Sequence, residues 1–412
     1  MKFSNIKQIV NWRLCVGCGA CSYICPDDKI QLVNITNEGI RPLCSGDNCD
    51  RCTVGIKVCP GYEVIHGEFT DNIDLIPELK TGWGPVLEVW EGYAADQEVR
   101  YHGSSGGLAS ALALYCLEKE GMEGVLHIGT DKESPWKNKT VFSKNRDDIL
   151  SRTGSRYAPA SPCDSLDKIE NASMPCVFVG KPCDIAGLRK AQSLRKNLND
   201  KVGVAIGIFC AGTPSTQGTL DLLAQFEINT DEVEDTRYRG KGWPGNFSVQ
   251  LKNGKSQSQE ISYMESWGFL QKYRPYRCYL CPDGTSEFAD ISCGDPWYRE
   301  LKENNLGYSP VLVRTEKGRR IVHGAMEAGY VVLERANPEI VINSQKNLLL
   351  KRGAIWGRLL TMKAFGIPTP RYEGFSLFKN WLGIPLKEKV RSILGTARRI
   401  IQRKYYKKLP MS

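Results

Sequence analysis

PCVFVGKPCDIAGLRKAQSLRKNLNDKVGVAIGIFC, residues 175–210, is the stretch that decides the class of fold. PCVFVG (175–180) is a short apolar run and reads as a buried strand ending in a loop. DIAGLRKAQSLRK (184–196) has helical spacing. VGVAIGIFC (202–210) reads as another apolar strand. Strand, helix and strand in succession predict an α/β core, whose loops at strand ends are where ligand groups gather.

The alternation extends in both directions. GGLASALALYCLEKEG (106–121) and TQGTLDLLAQF (216–226) are helical, and GVLHIG (124–129) is a strand. SPVLVRT, EKGRRIVHGAMEAG and YVVLERA (309–336) add a strand–helix–strand unit, and Asn253-Gly254 between alternating runs predicts a β-hairpin. No internal repeat or low-complexity tract interrupts the 412 residues. The predicted arrangement is an α/β core domain over 85–340, preceded by a small α+β domain over 1–70 and followed by a helical region over 341–412.

The composition, 41% hydrophobic and 25% charged, is that of a soluble globular protein. MKFSNIKQIVNWRLC has no apolar signal-peptide core, and no apolar run is long enough to span a membrane, so a cytoplasmic location is expected. Sixteen cysteines in that setting point to metal binding rather than disulfides. Of the net charge of +9, +8 lies between Lys387 and Lys408, where nine Lys or Arg face the single acid Glu388. The body is therefore nearly neutral, and no nucleic-acid partner is expected.

CVGCGACSYICP (15–26) sets Cys15, Cys18, Cys21 and Cys25 in the C-x2-C-x2-C-x3-C-P run of bacterial ferredoxins. Gly17 and Gly19 let the loop wrap closely, so that backbone N–H groups reach sulfur. Zinc prefers two separated C-x2-C knuckles, and this spacing fits it poorly. Cys44, Cys49, Cys52 and Cys59, followed by Pro60, form a loosened second copy. In two-cluster ferredoxins the fourth cysteine of each run serves the other cluster. The expected sets of [4Fe-4S] ligands are thus Cys15, Cys18, Cys21 and Cys59, and Cys44, Cys49, Cys52 and Cys25. The segment is poor in apolar residues, and the clusters would staple it.

Three loops of the core carry further chemistry. HGSSGG (102–107) precedes a helix, and Ser104, Ser105, Gly106 and Gly107 suit either a phosphate-binding N-terminus or a plain helix cap. The G-x-G-x-x-G fingerprint is absent. VGKPCDIAGLRK (179–190) puts Cys183 at a strand end, as IFCAG does Cys210, and RPYRCYLCPDG supplies Cys278 and Cys281. These four suit a further cluster or, on spacing alone, almost as well zinc.

HGSSGGLASALALYCLEKEGMEGVL, VFVGKPCDIAGLRKA, FCAGTPS, YRGKGWPG and RPYRCYLCPDGTSEFADISCGDPW stand in this order. Together they resemble the family of coenzyme F420 hydrogenase/dehydrogenase beta subunits. That family includes 7-hydroxymethyl chlorophyll a reductase of plants and F420-reducing hydrogenase beta subunits. The resemblance covers about residues 10–315. It implies an FAD-dependent iron–sulfur oxidoreductase, with Ser104–Gly107 near FAD and Cys183, Cys210, Cys278 and Cys281 as ligands of a core cluster. Lys181 stands where threonine is common in the family; it suits a flavin phosphate or is simply a different loop residue. The implied partners are an electron donor or acceptor protein such as ferredoxin, or coenzyme F420, with a small-molecule substrate the sequence does not identify. The alternative is an electron-transfer adaptor that docks on a partner enzyme. A homo-oligomer is left open.

Other residues have plainer readings. Cys116 lies mid-helix as an apolar side chain, and Cys163, Cys176 and Cys293 show no partners in sequence. Asp290 and Asp295 are either caps or site carboxylates, and Trp243 either floors a pocket or packs. From Val390 onward apolar residues recur at helical spacing opposite Lys and Arg. This predicts either a helix packed on the protein or an amphipathic anchor at the inner face of a membrane, with Tyr405 and Tyr406 in the headgroup layer.

Overall fold

The computed structural model describes residues 3–25, 29–44, 52–67, 74–252, 259–301 and 305–409. Its centre is an eight-stranded sheet. From edge to edge the strands are Val331–Arg335, Glu88–Ala94, Ser309–Val313, Ile291–Cys293, Val202–Ile208, Cys176–Gly180, Val125–Thr130 and Asn138–Ser143. The strands from Ile291–Cys293 to Val125–Thr130 pair in parallel. Those outside them pair antiparallel. The mixed α/β core is as expected. The unit at 309–336 departs in one detail: its two strands are not neighbours, because Glu88–Ala94 lies between them.

Side-chain alternation along the strands builds two cores. Val177, Val204, Ile206 and Ile291 point to one face, where they pack with the helices Leu108–Glu118 and Glu316–Glu327. Phe178, Val202 and Ala205 point to the other face, against Ile185 and Leu188 of the helix Pro182–Gln192. With both faces covered, the parallel strands read as continuous apolar runs. Cys116 is fully buried in the first core, and burial pushes its thiol up to about 12.

The first and last segments of the chain share a third core. Phe3, Ile6, Ile9, Val10 and Leu14 pack with Tyr276, Leu280, Met362, Ile367, Ile400 and Tyr405. Glu63–Ile65 adds a parallel pairing to Arg371–Glu373. On the second face of the sheet, Cys18, Ala20, Ile24 and Val58 join the core around Ile185. The cysteine-rich segment thus gains from the rest of the chain the apolar partners it lacks. Its own regular structure includes the helix Ile6–Asn11 and the hairpin of Ile30–Ile35 with Gly39–Cys44. A separate antiparallel sheet pairs Val233–Arg237, Asn246–Leu251 and Gln259–Ser262. The expected Asn253-Gly254 turn lies outside the described residues, although the strands on either side of it do pair.

His127, in the strand Val125–Thr130, bonds Ser143 Oγ through Nε2 at 2.8 Å. Burial, helped by the charge of Arg152, lowers its pKa to about 4. Below its ordinary pKa the unfolded chain takes up a proton that the folded chain refuses. Stability is therefore expected to fall by at most roughly 3 kcal/mol as pH drops from about 6.5 to 4. Urea titrations at pH 7 and pH 5 should show the loss, and His127→Gln should flatten it.

Candidate functional site

Two adjoining cavities gather the cysteines. One is lined by Cys183, Cys210, Cys278 and Cys281, with Cys15, Lys181, Arg277 and Lys351 among their neighbours. The topology explains the convergence. Cys183 opens the helix that follows the strand Cys176–Gly180, and Cys210 lies two residues past the strand Val202–Ile208. Cys210 N–H donates to Gly284 O at 2.8 Å, which ties it to the loop after Cys281. Cys278 lies in the short helix Tyr276–Tyr279. Cys183, Cys210 and the Cys278–Cys281 pair, three places far apart in sequence, therefore meet at one end of the parallel strands.

The second cavity is lined by Cys15, Cys18, Cys21 and Cys59, backed by Ile6, Ile9 and Val10. Gly17 N–H donates to Cys15 Sγ at 3.4 Å. Gly17 and Gly19 take φ of +71° and +90°; a Cβ at Gly17 would sit 2.8 Å from Ile40 O, and one at Gly19 2.7 Å from Asp164 N. The loop needs glycine at both positions. Cys15 and Gly17 line both cavities. Cys25, Cys44 and Cys52 are partly exposed thiols elsewhere in the segment, and Cys49 lies outside the described residues.

Burial dominates the electrostatics. It raises the Cys183 and Cys21 thiols well above their ordinary range, and takes Cys59 to about 12 and Cys210 to about 11. A buried thiol stays protonated until a cation compensates the thiolate. Protein cations are at hand. Arg277 is buried; its Nε donates to Leu14 O at 3.0 Å and its Nη2 to Pro60 O at 3.1 Å. Its Nη1 is buried with no hydrogen-bond partner. Arg277 thus joins the residues flanking Cys15 and Cys59 to the helix that carries Cys278, and keeps one donor unused beside the core cavity. An unused buried donor next to four thiols fits an acceptor-rich iron–sulfur group. Among the described residues no three His, Cys, Asp or Glu side chains close on a point that could hold a single metal ion.

Cys18 has a partner that sequence spacing did not reveal. Cys163 lies beside Cys18, whose thiol it lowers by hydrogen bonding in place of its S–H contact to Asp184 O at 3.2 Å. Lys181 lines the core cavity, where its Nζ bonds both carboxylate oxygens of Asp184 at 2.7 and 2.8 Å. A flavin phosphate at Lys181 would have to displace that pair.

The Ser104–Gly107 loop has its own surroundings. Ser105 Oγ donates to Tyr308 O, Ser104 Oγ accepts from Ser155 N–H, and Gly106 N–H donates to Ser309 Oγ at 2.9 Å. The Ser105 hydroxyl is spent as a donor within the fold and the Ser104 oxygen serves there as an acceptor, while Gly107 opens the helix Leu108–Glu118 with no side-chain cap. Arg239, fully buried, donates to Ser104 O and grips Asp295 through Nη1 and Nη2 at 2.9 and 2.7 Å. Trp243 Nε1 donates to the same carboxylate at 3.0 Å. Asp295 thus belongs to the loop, and Trp243 serves it. Asp290 instead serves the fold, accepting from Ala205 N–H and Thr315 Oγ1 and pairing with Arg189. Sequence gives no sign of these roles of Arg239, Arg277 and Cys163: the two arginines stand inside motifs read for their glycines and cysteines, and Cys163 has no spacing signal.

This is a cysteine-rich α/β protein whose separate sequence motifs meet around two thiol-lined cavities and one helix N-terminus. The comparisons fix its family. Models of the coenzyme F420 hydrogenase/dehydrogenase beta subunit match at residues 89–167 for the N-terminal part and 174–339 for the C-terminal part. The chain belongs to that family. It is 27% identical to the coenzyme F420 hydrogenase subunit beta of Methanococcus voltae, over 67% of this chain and 95% of that one. It is 23% identical to an F(420)H(2) dehydrogenase subunit of Methanosarcina mazei, over 88% and 92%. It is also 26% identical to a coenzyme F420-dependent sulfite reductase of Methanocaldococcus jannaschii, over 84% of this chain but 51% of that protein. It spans 62% of that organism's F420-dependent formate dehydrogenase subunit beta. A chain of the F420-reducing [NiFe] hydrogenase complex from Methanosarcina barkeri has a similar fold, with a TM-score of 0.54 at 23% identity over 69% of this chain and 95% of that one.

Proposed function

We propose that this chain is an iron–sulfur flavoprotein oxidoreductase of the cytoplasm. It would link [4Fe-4S] clusters and FAD to coenzyme F420 or another small substrate. The observation that carries the reading is the pair of adjoining cavities, each gathering a predicted set of four cysteines, with Cys15 at their boundary. When bound, the clusters supply one-electron steps, and the flavin couples them to hydride exchange. Cys15, Cys18, Cys21 and Cys59 would hold one cluster, Cys183, Cys210, Cys278 and Cys281 the core cluster, and Cys44, Cys49, Cys52 and Cys25 the third.

The chain's own contribution is electrostatic and positional. Arg277 offers a buried donor to the core cavity, and Lys351 adds charge at Cys210 and Cys281. Arg239 holds the Ser104–Gly107 loop through Ser104 O, so the helix that Gly107 opens faces its ligand in a fixed orientation. That N-terminus favours the negative charge of a dinucleotide phosphate.

A second reading, as an electron-transfer adaptor, is favoured by relatives that are named as subunits. Anaerobic purification separates the two. The first reading expects an absorption spectrum with flavin bands over a broad iron–sulfur shoulder, FAD released on denaturation, and reduction of the isolated protein by reduced F420. Bound FAD with no F420 exchange until a partner is added supports the adaptor. A protein without flavin overturns the flavoprotein reading.

A further inference from the structure

The last helix is placed with its apolar side outward. Leu386–Gln402 buries Ser392, Thr396 and Ile400 against the protein. Gly357, on the helix Lys346–Ala364, permits the close approach, since a Cβ there would lie 2.1 Å from Ser392 Oγ. Ser392 Oγ also accepts from Trp381 Nε1 at 3.2 Å. The large aliphatic residues are left in solvent: Leu386 is 75% exposed, Leu394 63% and Ile401 58%, with Val390 beside them. Their spacing makes one stripe, about 22 Å from Leu386 to Ile401. Phe378 and Leu382 of the neighbouring helix Leu377–Gly383 are also exposed.

Cations crowd one flank of the stripe. Lys387, Arg391 and Arg398 are exposed on the flank of the same helix, and Lys404, Lys407 and Lys408 follow it. Glu388 is the single acid between Lys387 and Lys408, and it pairs with Arg391. Tyr406 is exposed, whereas Tyr405 is buried against Tyr276 with ring centroids 4.4 Å apart, so only Tyr406 is free for a headgroup layer. No helix among the described residues is long and apolar enough to cross a membrane.

We infer that this face docks on an anionic lipid bilayer as a monotopic contact. Leu386, Val390, Leu394 and Ile401 would enter the acyl boundary while the flanking lysines and arginines meet lipid phosphates. Lysine is depleted at the centre of protein interfaces, whereas an aliphatic stripe beside flexible cations matches an interfacial helix. The inference stands apart from the redox reading, because vesicle binding requires no turnover.

The test is co-sedimentation of full-length protein with phosphatidylglycerol vesicles and, separately, phosphatidylcholine vesicles, at low and high salt. Binding is expected to the anionic vesicles and to weaken with salt. Leu394→Glu with Leu386→Glu should abolish it, and each charge removal, Lys387→Gln or Arg398→Gln, should weaken it by about fivefold. These residues are exposed, so unchanged circular dichroism and iron content will show an intact fold. Absence of binding by the wild type, or equal binding by Leu394→Glu with Leu386→Glu, overturns the inference. So does a wild-type dimer that those substitutions dissociate, because the face would then belong to a second copy.

Discussion

Serine at Cys281 is expected to remove the iron of the core cavity, about four atoms per chain, and to disturb flavin reduction at the same time. Cys281 and Cys183 line the same cavity, and burial raises both thiols. Each would become a ligand only through the positive charge of iron. A serine hydroxyl is a far weaker donor to iron. Cys183→Ser should therefore lose the same irons, while the N-terminal irons remain. Cys116→Ser is the control: Cys116 is fully buried in the apolar core between helix and sheet, away from the cavity, so it should alter stability and leave iron unchanged. Iron analysis of the three variants, with stopped-flow absorbance at the flavin band, reads both effects. Full iron in Cys281→Ser would remove that residue from the ligand set.

Arg352→Met is expected to destabilise the protein by about 3–5 kcal/mol, because it strands a buried carboxylate. Glu287 and Arg352 form an ion pair with side chains only 1% and 3% exposed. Glu287 also bonds His66 Nε2 at 2.8 Å. Burial alone would raise the Glu287 carboxyl, but Arg352 and His66 together hold it below its ordinary range. The three residues come from three places. His66 follows the N-terminal cysteine segment, Glu287 follows the Cys278–Cys281 loop, and Arg352 lies on the helix Lys346–Ala364. The cluster pins these three segments to each other. Adding Glu287→Gln to Arg352→Met should restore much of the loss, since the stranded charge is then gone. Chemical denaturation under anaerobic conditions measures both variants; a single-variant loss under about 1 kcal/mol would contradict the pinning role.

What the sequence made legible follows from where the information lies. The strands Cys176–Gly180 and Val202–Ile208 were readable because both their faces are covered and their apolar runs are unbroken. The strand Glu88–Ala94 was not, because its residues answer to distant partners. Glu88 meets His323, Arg319 and Arg335, and Gly92 lies where a Cβ would come within 1.9 Å of Val332 O. Ile291–Cys293 is only three residues long and has no periodicity to read. The nearness of Cys15, Cys18 and Cys21 was legible from spacing, since they are close in sequence, whereas the meeting of Cys183, Cys210 and Cys278 depends on the fold. Cys163 and Arg277 act only through folding, which brings Cys163 to Cys18 and Arg277 to Leu14 and Pro60. The terminal helix showed its amphipathic period in sequence. Which side faces the protein is decided by Gly357, on another helix.

Central to the proposed function is that the cysteine-lined cavities hold iron–sulfur clusters, including one in the core. Metal and acid-labile sulfide analysis of anaerobically purified full-length protein tests it most directly. Three four-iron clusters predict about twelve irons and about twelve sulfides per chain, with no stoichiometric zinc. About eight irons, or zinc in place of the missing four, would contradict the core cluster at Cys183, Cys210, Cys278 and Cys281.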